Sequence, residues 1–193
     1  MVTGMVAYGG KGSVSFSTTA TTHHNQRRPM NILLCNGKGG TGKTTLTVLL
    51  SHALAEVGKR VAVLDGDPQG TATKWIQESD DSGIEVYHRG EEYDAVFMDT
   101  PPRIDSIAPL VASCDLAVIV ASPSPADLWT TRDTADTVKR HLGNPSHLRL
   151  LFNGVRTGTI LARNLAGIAD RVGVKPLRAT ISRRQAYQHE ALL

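Results

Sequence analysis

The chain has 193 residues, of which 40% are apolar and 20% are charged. This is long enough for one domain with a buried core, and the charge content is too low for a wholly disordered chain. No apolar run approaches the roughly 18 residues that a membrane span needs. Its two cysteines, Cys35 and Cys114, lie in apolar runs and form no CxxC pair. This argues against a disulfide scaffold and favours a reducing cytoplasm.

Charge is unevenly distributed along the chain. Residues 30–155 carry 11 basic and 16 acidic residues, whereas residues 156–184 carry seven basic residues and only Asp170 as an acid. Residues 1–29 add three basic residues and no acid. An acidic body followed by a basic part indicates a polyanionic partner, and an ordinary solvated basic face is the alternative.

Residues 1–29 are rich in Gly, Ser and Thr and show no sustained apolar period. We therefore expect a disordered N-terminal tail, with Met30 as the start of the fold. An organelle transit peptide is the alternative, because the tail is rich in hydroxyls and lacks acids. Residues 30–193 are expected to form a single domain.

From Asn31 onward, short apolar runs alternate with helical stretches. The predicted strands are Asn31–Asn36, Arg60–Asp65, Ile84–Tyr87, Ala95–Asp99, Leu116–Ala121 and Leu148–Asn153. The predicted helices are Thr44–Val57, Ile104–Ser113, Ala126–Leu142 and Ile160–Val172. Nearly continuous apolar strands separated by helices predict an α/β fold: a three-layer, doubly wound, mostly parallel sheet with helices on both faces.

The segment from Gly37 to Thr44 reads GKGGTGKT and matches the phosphate-loop pattern GxxxxGK(S/T) between a predicted strand and a predicted helix. Glycines let backbone N–H groups surround a phosphate, and the helix N-terminus adds a positive dipole end. Lys43 is expected to neutralise β- and γ-phosphate charge, and the Thr44 hydroxyl to ligate Mg²⁺. A glycine-rich turn with incidental lysines is the alternative. The nucleotide-binding residues predicted here are Gly37, Lys38, Gly39, Gly40, Thr41, Gly42, Lys43, Thr44 and Thr45.

Carboxylates follow two of the predicted strands. Asp65 and Asp67 lie just past a strand, at the sheet edge where open α/β folds bind ligands, and their spacing of two points them the same way if the strand geometry continues. Asp99 ends another strand and fits a carboxylate that holds Mg²⁺ through water. An acidic turn and a simple cap are the alternatives.

Lys38 is a second lysine in the loop, which a generic phosphate loop does not need. The segment Lys38–Thr45 resembles the deviant Walker A box of the ParA/MinD ATPase superfamily. This resemblance implies that Lys38 crosses a dimer interface and touches the partner's nucleotide, somewhat as an arginine finger does. Residues 65–69 resemble the switch motif of the superfamily, which implies that Asp67 orients or activates the attacking water and that Asp65 supports the water shell of Mg²⁺.

Further segments resemble the small plasmid-partition ParA proteins, the ParF-like group. Residues 121–129 resemble the proline-rich segment that this group uses near its nucleotide-dependent dimer contact, with a strand-to-helix turn as the alternative. Residues 179–187 resemble the end of its ATPase core, and Asn153 falls where the family often reads adenine. The chain ends soon after this likeness, shows no helix-turn-helix module, and lacks the C-terminal amphipathic helix of MinD, so no membrane partner is expected.

The resemblance implies a cytoplasmic, nucleoid-associated ATPase of weak intrinsic activity that uses ATP and Mg²⁺. Its ATP-driven sandwich homodimer would bind non-specific DNA and release it upon hydrolysis stimulated by a ParB-type protein, in plasmid or chromosome segregation. The predicted DNA-binding residues are Arg178, Arg183 and Arg184. The alternatives are a positioning ATPase for a non-DNA cargo such as a microcompartment, a MinD-like regulator, a nitrogenase-like reductase with cluster-binding cysteines, and a scaffold that binds ATP without hydrolysing it.

Overall fold

The computed structural model describes residues 28–79 and 83–183. Within them, seven strands form one sheet of order β3-β2-β4-β1-β5-β6-β7, and every pairing is parallel. The strands are β1 (Met30–Cys35), β2 (Val61–Asp65), β3 (Ile84–Val86), β4 (Ala95–Asp99), β5 (Leu116–Ala121), β6 (Leu148–Val155) and β7 (Ile181–Ser182). The central strands are buried on both faces, which is why their sequences are almost continuously apolar.

Helices cover both faces of this sheet. They are α1 (Lys43–Ala55), α2 (Thr71–Glu78), α3 (Ile104–Val111), α4 (Leu128–His141), α5 (Ile160–Arg163) and α6 (Leu165–Val172). Helices α1 and α2 bury Leu46 and Ile76 in the core on one face. Helices α3, α4 and α6 contribute Ile107, Val138 and Val172 to the core on the other. The predicted three-layer, doubly wound fold is confirmed.

The strand order sets where a ligand site can form. The chain moves from β1 outward to β2 and then returns to place β4 and β5 on either side of β1. Such a reversal leaves a crevice at the ends where the strands finish. We call this end the carboxyl edge, and the opposite end, where the strands begin, the amino edge.

The sequence-based prediction missed helix α2, the short strand β7 and a break in the last predicted helix. Helix α2 was not predicted, because it is only eight residues long and mostly polar, although Ala72 and Ile76 are buried. The helix predicted over Ile160–Val172 is interrupted at Asn164, where φ is −112° and ψ is 24°. Asparagine competes for backbone hydrogen bonds and so favours helix ends over helix interiors.

The prediction of a disordered tail falls almost entirely outside the described residues and stays a prediction. Of that segment, the structure describes Arg28 and Pro29. The Arg28 guanidinium donates a hydrogen bond of 2.6 Å to Asp115, and the second Asp115 oxygen accepts from the Asn31 backbone N–H at 2.9 Å. These contacts fix the chain where it enters β1.

Candidate functional site

The phosphate loop, residues 37–44, leads from β1 into α1 at the carboxyl edge. Gly42 directly precedes α1 with φ of +91°, and a Cβ built on it would lie 2.2 Å from Asn153 Nδ2. Only glycine tolerates both this backbone conformation and this approach. The first turn of α1 contains no acidic residue, so the positive end of the helix dipole is available to an anion.

Asn36 fixes the base of the loop, which the sequence did not reveal. Its side chain is buried; Nδ2 donates to the Val120 carbonyl at 2.9 Å, and Oδ1 accepts from the Lys38 backbone N–H at 3.0 Å. The Gly37 N–H donates to Thr134 Oγ1 at 3.0 Å. Strand β5 and helix α4 therefore hold the start of the loop. A polar residue ending a strand carries no sequence signal for this role.

The Lys43 ammonium points back along the loop and donates to the Lys38 carbonyl at 3.1 Å. Burial lowers the pKa of Lys43, while the charges of Asp99 and Asp67 partly oppose this shift. The side chain is thus a buried cation inside the loop, close to two of the predicted carboxylates. This arrangement fits the phosphate-neutralising role that the sequence predicts.

Thr44 and Asp99, both predicted at the metal site, are in contact. Thr44 Oγ1 donates to Asp99 Oδ2 at 2.6 Å. Burial of the Asp99 carboxyl raises its pKa to about 6. Among the described residues, Asp99 Oδ1 is buried and has no hydrogen-bond partner.

These residues fit Mg²⁺. A free carboxylate oxygen beside a hydroxyl is the hard-oxygen donor set that Mg²⁺ prefers. In the described part of the chain no three His, Cys, Asp or Glu side chains cluster as a metal cage. Mg²⁺ is usually held by one or two protein oxygens together with phosphates and water, so such a cage is not required. Thr44 and Asp99 are the residues that would hold the ion.

Asp65 and Asp67 lie at the end of β2, beside β4, with Asp65 in register with Asp99. Both Asp65 oxygens accept backbone N–H groups, from Asp67 at 3.0 Å and from Thr73 at 2.9 Å. Asp67 Oδ1 accepts from the Gln69 N–H at 3.0 Å. Asp65 therefore ties the loop after β2 to the first turn of α2. The predicted roles toward Mg²⁺ and the attacking water stay predictions.

Lys38 is engaged within its own subunit. Its Nζ donates a short, charge-assisted hydrogen bond to Asp127 Oδ1, and Ser122 Oγ donates to Asp127 Oδ2. The Asp127 side chain is only 6% exposed, whereas that of Lys38 is 41% exposed. The sequence suggested Asp127 only as the start of a helix, because a pair 89 positions apart leaves no local pattern.

Asn153 on β6 also reaches the loop. Its Nδ2 donates to the Thr41 carbonyl at 2.8 Å, which places it against the phosphate loop. Whether it contacts adenine stays a prediction. Thr45 lies half-buried in the first turn of α1. Gly37 is closely packed, since a Cβ there would meet Ile104 Cγ1 at 2.6 Å.

Two of the predicted DNA-binding residues flank β7. Arg178 and Arg183 are exposed on the segment that runs alongside β6, where the Arg183 N–H donates to the Val155 carbonyl at 3.0 Å. Arg184 lies outside the described residues. Their role in DNA binding stays a prediction.

The cysteines do not resemble cluster ligands. Both are free thiols, with Cys35 fully buried in β1 and Cys114 half-buried. Burial raises the pKa of Cys35 to about 12 and that of Cys114 to about 11. Because iron–sulfur ligation needs thiolates, this environment disfavours the nitrogenase-like alternative.

A protein-family comparison decides the family. The model of the CobQ/CobB/MinD/ParA nucleotide binding domain matches residues 32–191. The chain belongs to this family. The predicted membership of the ParA/MinD superfamily is confirmed, and the relatives below are consistent with a ParF-like protein.

Curated relatives in this ParA/MinD family include proteins of two kinds. The chain is 27% identical over 181 residues to maintenance of carboxysome distribution protein A of Halothiobacillus neapolitanus, covering 84% of this chain and 83% of that protein. It is 57% identical over 45 residues to sporulation initiation inhibitor protein Soj of Bacillus subtilis, covering 23% of this chain and 18% of that protein. The family is therefore one of ParA-like positioning ATPases.

Solved structures share the ParA/MinD fold. A plasmid partition protein of Borrelia burgdorferi bound to AMPPNP aligns with a TM-score of 0.72 and 16% identity, over 86% of this chain and 89% of that one. MinD of Pyrococcus horikoshii with Mg-ADP aligns with a TM-score of 0.64 and 21% identity, over 85% of each chain. At such identities the likeness shows the fold. The predicted cofactors, ATP and Mg²⁺, are confirmed at the level of the family, whose solved members include complexes with ATP, with ADP and with Mg.

The lengths and compositions of the helices bear only on whether one of them could span a membrane. None of those in residues 28–79 and 83–183 combines the length and apolar character of a membrane-crossing segment.

Proposed function

We propose that this protein is a Mg·ATP-dependent positioning ATPase whose ATP-bound homodimer binds non-specific DNA and lets go after hydrolysis. The observation that carries the proposal is the complete phosphate loop with Lys38 as an additional lysine, exposed enough to reach beyond its own subunit. Weak intrinsic hydrolysis is expected, since a second subunit and a partner protein must complete the site.

Each polar residue of the site has a task in this proposal. Bound ATP and Mg²⁺ supply the phosphoanhydride and the charge that stabilises its cleavage. Lys43 binds the phosphate chain, and Thr44 with Asp99 hold the ion. Asp67 orients the attacking water, while Asp65 keeps the loop that carries Asp67 in place through its two backbone hydrogen bonds.

Lys38 has to exchange partners in this proposal. In the single subunit it is bound to Asp127, a side chain that is nearly buried. A contact between Lys38 and the nucleotide of a second subunit requires this ion pair to break, and the phosphate charge compensates for the loss. Dimerisation is therefore expected to depend on a triphosphate, whose γ-phosphate offers a second anion to Lys38.

Nucleotide-dependent co-sedimentation with DNA tests the proposal. The full chain is mixed with plasmid DNA and with ADP, ATP or a non-hydrolysable analogue over a salt series. Retention with ATP and with the analogue, but not with ADP, is expected.

Lys43→Ala should abolish retention through loss of nucleotide binding, whereas Asp67→Ala should retain DNA longer because its dimers cannot hydrolyse ATP. Equal turnover by Asp67→Ala and the unaltered protein would contradict the assigned role of Asp67.

The DNA-binding residues proposed for the dimer are Arg178, Arg183 and Arg184. Arg183→Glu/Arg184→Glu is expected to abolish ATP-dependent DNA retention and to leave nucleotide binding intact, as measured by binding of a fluorescent ATP analogue. Unchanged retention would remove this assignment.

The cargo has two candidates. Plasmid or chromosome segregation follows from the ParF-like motifs and from the similarity to Soj. A non-DNA cargo is favoured equally by the similarity to carboxysome distribution protein A, which extends over 84% of this chain. The partner that stimulates hydrolysis distinguishes them. A partner that binds a specific DNA sequence in a mobility-shift assay indicates DNA segregation. A partner that binds a protein assembly instead indicates a non-DNA cargo.

A further inference from the structure

Trp129, in the first turn of α4, is a large apolar side chain that its own subunit leaves uncovered. It is 73% exposed, although tryptophan is on average one of the more buried residue types. Within residues 28–79 and 83–183 its ring contacts no other aromatic ring and no cation, and its indole N–H has no hydrogen-bond acceptor. Trp129 therefore contributes little to the core of the single subunit.

The chain that leads into Trp129 is held in one conformation. Pro123 and Pro125 restrict its φ angles. The Asp127 N–H donates to the Ser124 carbonyl at 3.1 Å, which closes a turn just before α4. A segment that is already rigid loses little conformational entropy when a partner covers the side chain that it presents.

Residues on either side of Trp129 contact the phosphate loop. Asp127, two positions before it, accepts the hydrogen bond of the Lys38 ammonium. Thr130, which follows it, has its Cγ2 3.4 Å from where a Cβ on Gly37 would be. The Cα–Cβ bonds of a helix tilt toward its N-terminus, so the Trp129 side chain leans toward the carboxyl edge, where α4 begins.

Smaller apolar residues are exposed on two sides of the loop. Pro125 and Ala126 are exposed just before α4. On the other side Pro102 is exposed, and its Cβ lies 3.7 Å from where a Cβ on Gly39 would be. Single exposed apolar residues are ordinary on a protein surface. Apolar residues on both sides of one functional loop, with a tryptophan among them, are typical of an interface.

A second copy of this chain is the partner that fits this position. In the proposed homodimer, Lys38 contacts the nucleotide of the other subunit. Identical subunits most often pair about a twofold axis, with the same surface on each side of the interface. The two phosphate loops must then face each other, and Trp129, close to the partner of Lys38, is carried toward the second copy.

We propose that Trp129 is an anchor of the ATP-bound homodimer, exposed in the single subunit and buried against the second copy when Lys38 crosses the interface. The inference rests on the ATP-dependent dimer of the proposed function. It names a contact in that dimer that involves neither the nucleotide nor Mg²⁺. Tryptophan is among the residues that contribute most to interfaces when they are fully desolvated.

Intrinsic fluorescence tests this inference on the full chain, which has two tryptophans. Trp75→Phe leaves Trp129 as the single emitter. A non-hydrolysable ATP analogue with Mg²⁺ should move its emission to shorter wavelength and reduce its quenching by acrylamide about twofold or more, because the ring leaves water. The change should follow dimer formation, measured by analytical ultracentrifugation over a range of protein concentrations. ADP should cause neither.

Trp129→Ala should weaken dimerisation with the analogue at least about tenfold, whereas Trp129→Phe should retain most of it. Binding of a fluorescent ATP analogue to dilute single subunits should be unchanged in both variants. The matched control is Val57→Ala, which removes a 70% exposed apolar side chain just past the end of α1, at the amino edge. Less than about a threefold change in dimerisation is expected for this control.

The outcomes separate this inference from the proposed function. A dimer in which acrylamide reaches Trp129 as easily as in the single subunit would overturn the anchor and leave the ATP-dependent dimer standing. Equal effects of Trp129→Ala and Val57→Ala would do the same. No dimer of the unaltered protein with the analogue would overturn both. A shift caused by phosphatidylglycerol vesicles without nucleotide, and none upon dimerisation, would overturn the anchor in favour of a membrane contact.

Discussion

Asp99 is fully buried at the end of β4, and burial raises its pKa from the ordinary 3.8 to about 6. Between these values the native protein holds a proton that the unfolded chain releases. The free energy of unfolding therefore falls as pH rises from about 4 through about 6, and this part of the stability stays lost at neutral pH. Asp99 is thus retained at a cost in stability, as expected of a group that serves a ligand.

Asp99→Asn should reverse this cost. A neutral amide avoids the desolvation of a charge, so we expect the nucleotide-free protein to gain up to about 2 kcal/mol at pH 7.5 and its stability to vary less between pH 4 and 7. Mg²⁺-dependent nucleotide binding should be weakened in the same variant. Thermal unfolding at several pH values measures the first effect, with the exposed Asp105→Asn as control. A variant with the pH profile of the unaltered protein would show that Asp99 is not the titrating group.

The junction of the phosphate loop with α1 illustrates the element scale. Two loop glycines have positive φ, Gly40 at +73° and Gly42 at +91°. Nothing lies within 4 Å of a Cβ built on Gly40, whereas a Cβ built on Gly42 would lie 2.2 Å from Asn153 Nδ2. Any other residue would therefore have a strained backbone at both positions, and its side chain would clash with Asn153 only at position 42.

Comparison of Gly42→Ala with Gly40→Ala should separate these two effects. Gly40→Ala is expected to cost about 1 kcal/mol through its positive φ. Gly42→Ala should cost about 1–3 kcal/mol more, because Asn153 must move and its hydrogen bond to the Thr41 carbonyl is lost. Urea unfolding of the two variants measures the difference. Equal destabilisation by the two substitutions would mean that Asn153 moves aside without a loss of stability.

For the whole molecule, the candidate site joins the ends of β1, β2, β4 and β6. A ligand bound there contacts several crossovers at once, so its binding free energy adds to the stability of the entire fold. At a concentration of about 100 times Kd, the gain is about 2.7 kcal/mol.

Mg·ATP should therefore raise the Tm of the protein by about 5–10 °C at that concentration. Lys43→Ala should show no such rise, since the buried ammonium that binds phosphate is missing. Lys74→Ala, which removes an exposed lysine of α2, should behave like the unaltered protein. Differential scanning calorimetry with and without Mg·ATP gives the three values, and a rise in Lys43→Ala would place the nucleotide elsewhere.

Local patterns in the sequence were sufficient to predict the fold class and the phosphate loop, and to place Thr44 and Asp99 at the same edge of the sheet. Apolar strands, helix periods and the glycine-lysine spacing are set by neighbours in the chain, and strands of a parallel sheet end at one edge whatever their order. Helix α2 and the break at Asn164 were missed because short polar helices and helix ends depend on which residues tertiary contacts bury.

By itself, then, the amino-acid sequence determined that the chain forms a doubly wound nucleotide-binding fold, because those signals are local. Only the tertiary structure decided which distant groups meet: Lys38 with Asp127, and Asn36 with β5 and α4. The ion pair between Lys38 and Asp127 forms only when β1 and β5 lie side by side, since electrostatic contacts depend on distance in space and not on position along the chain.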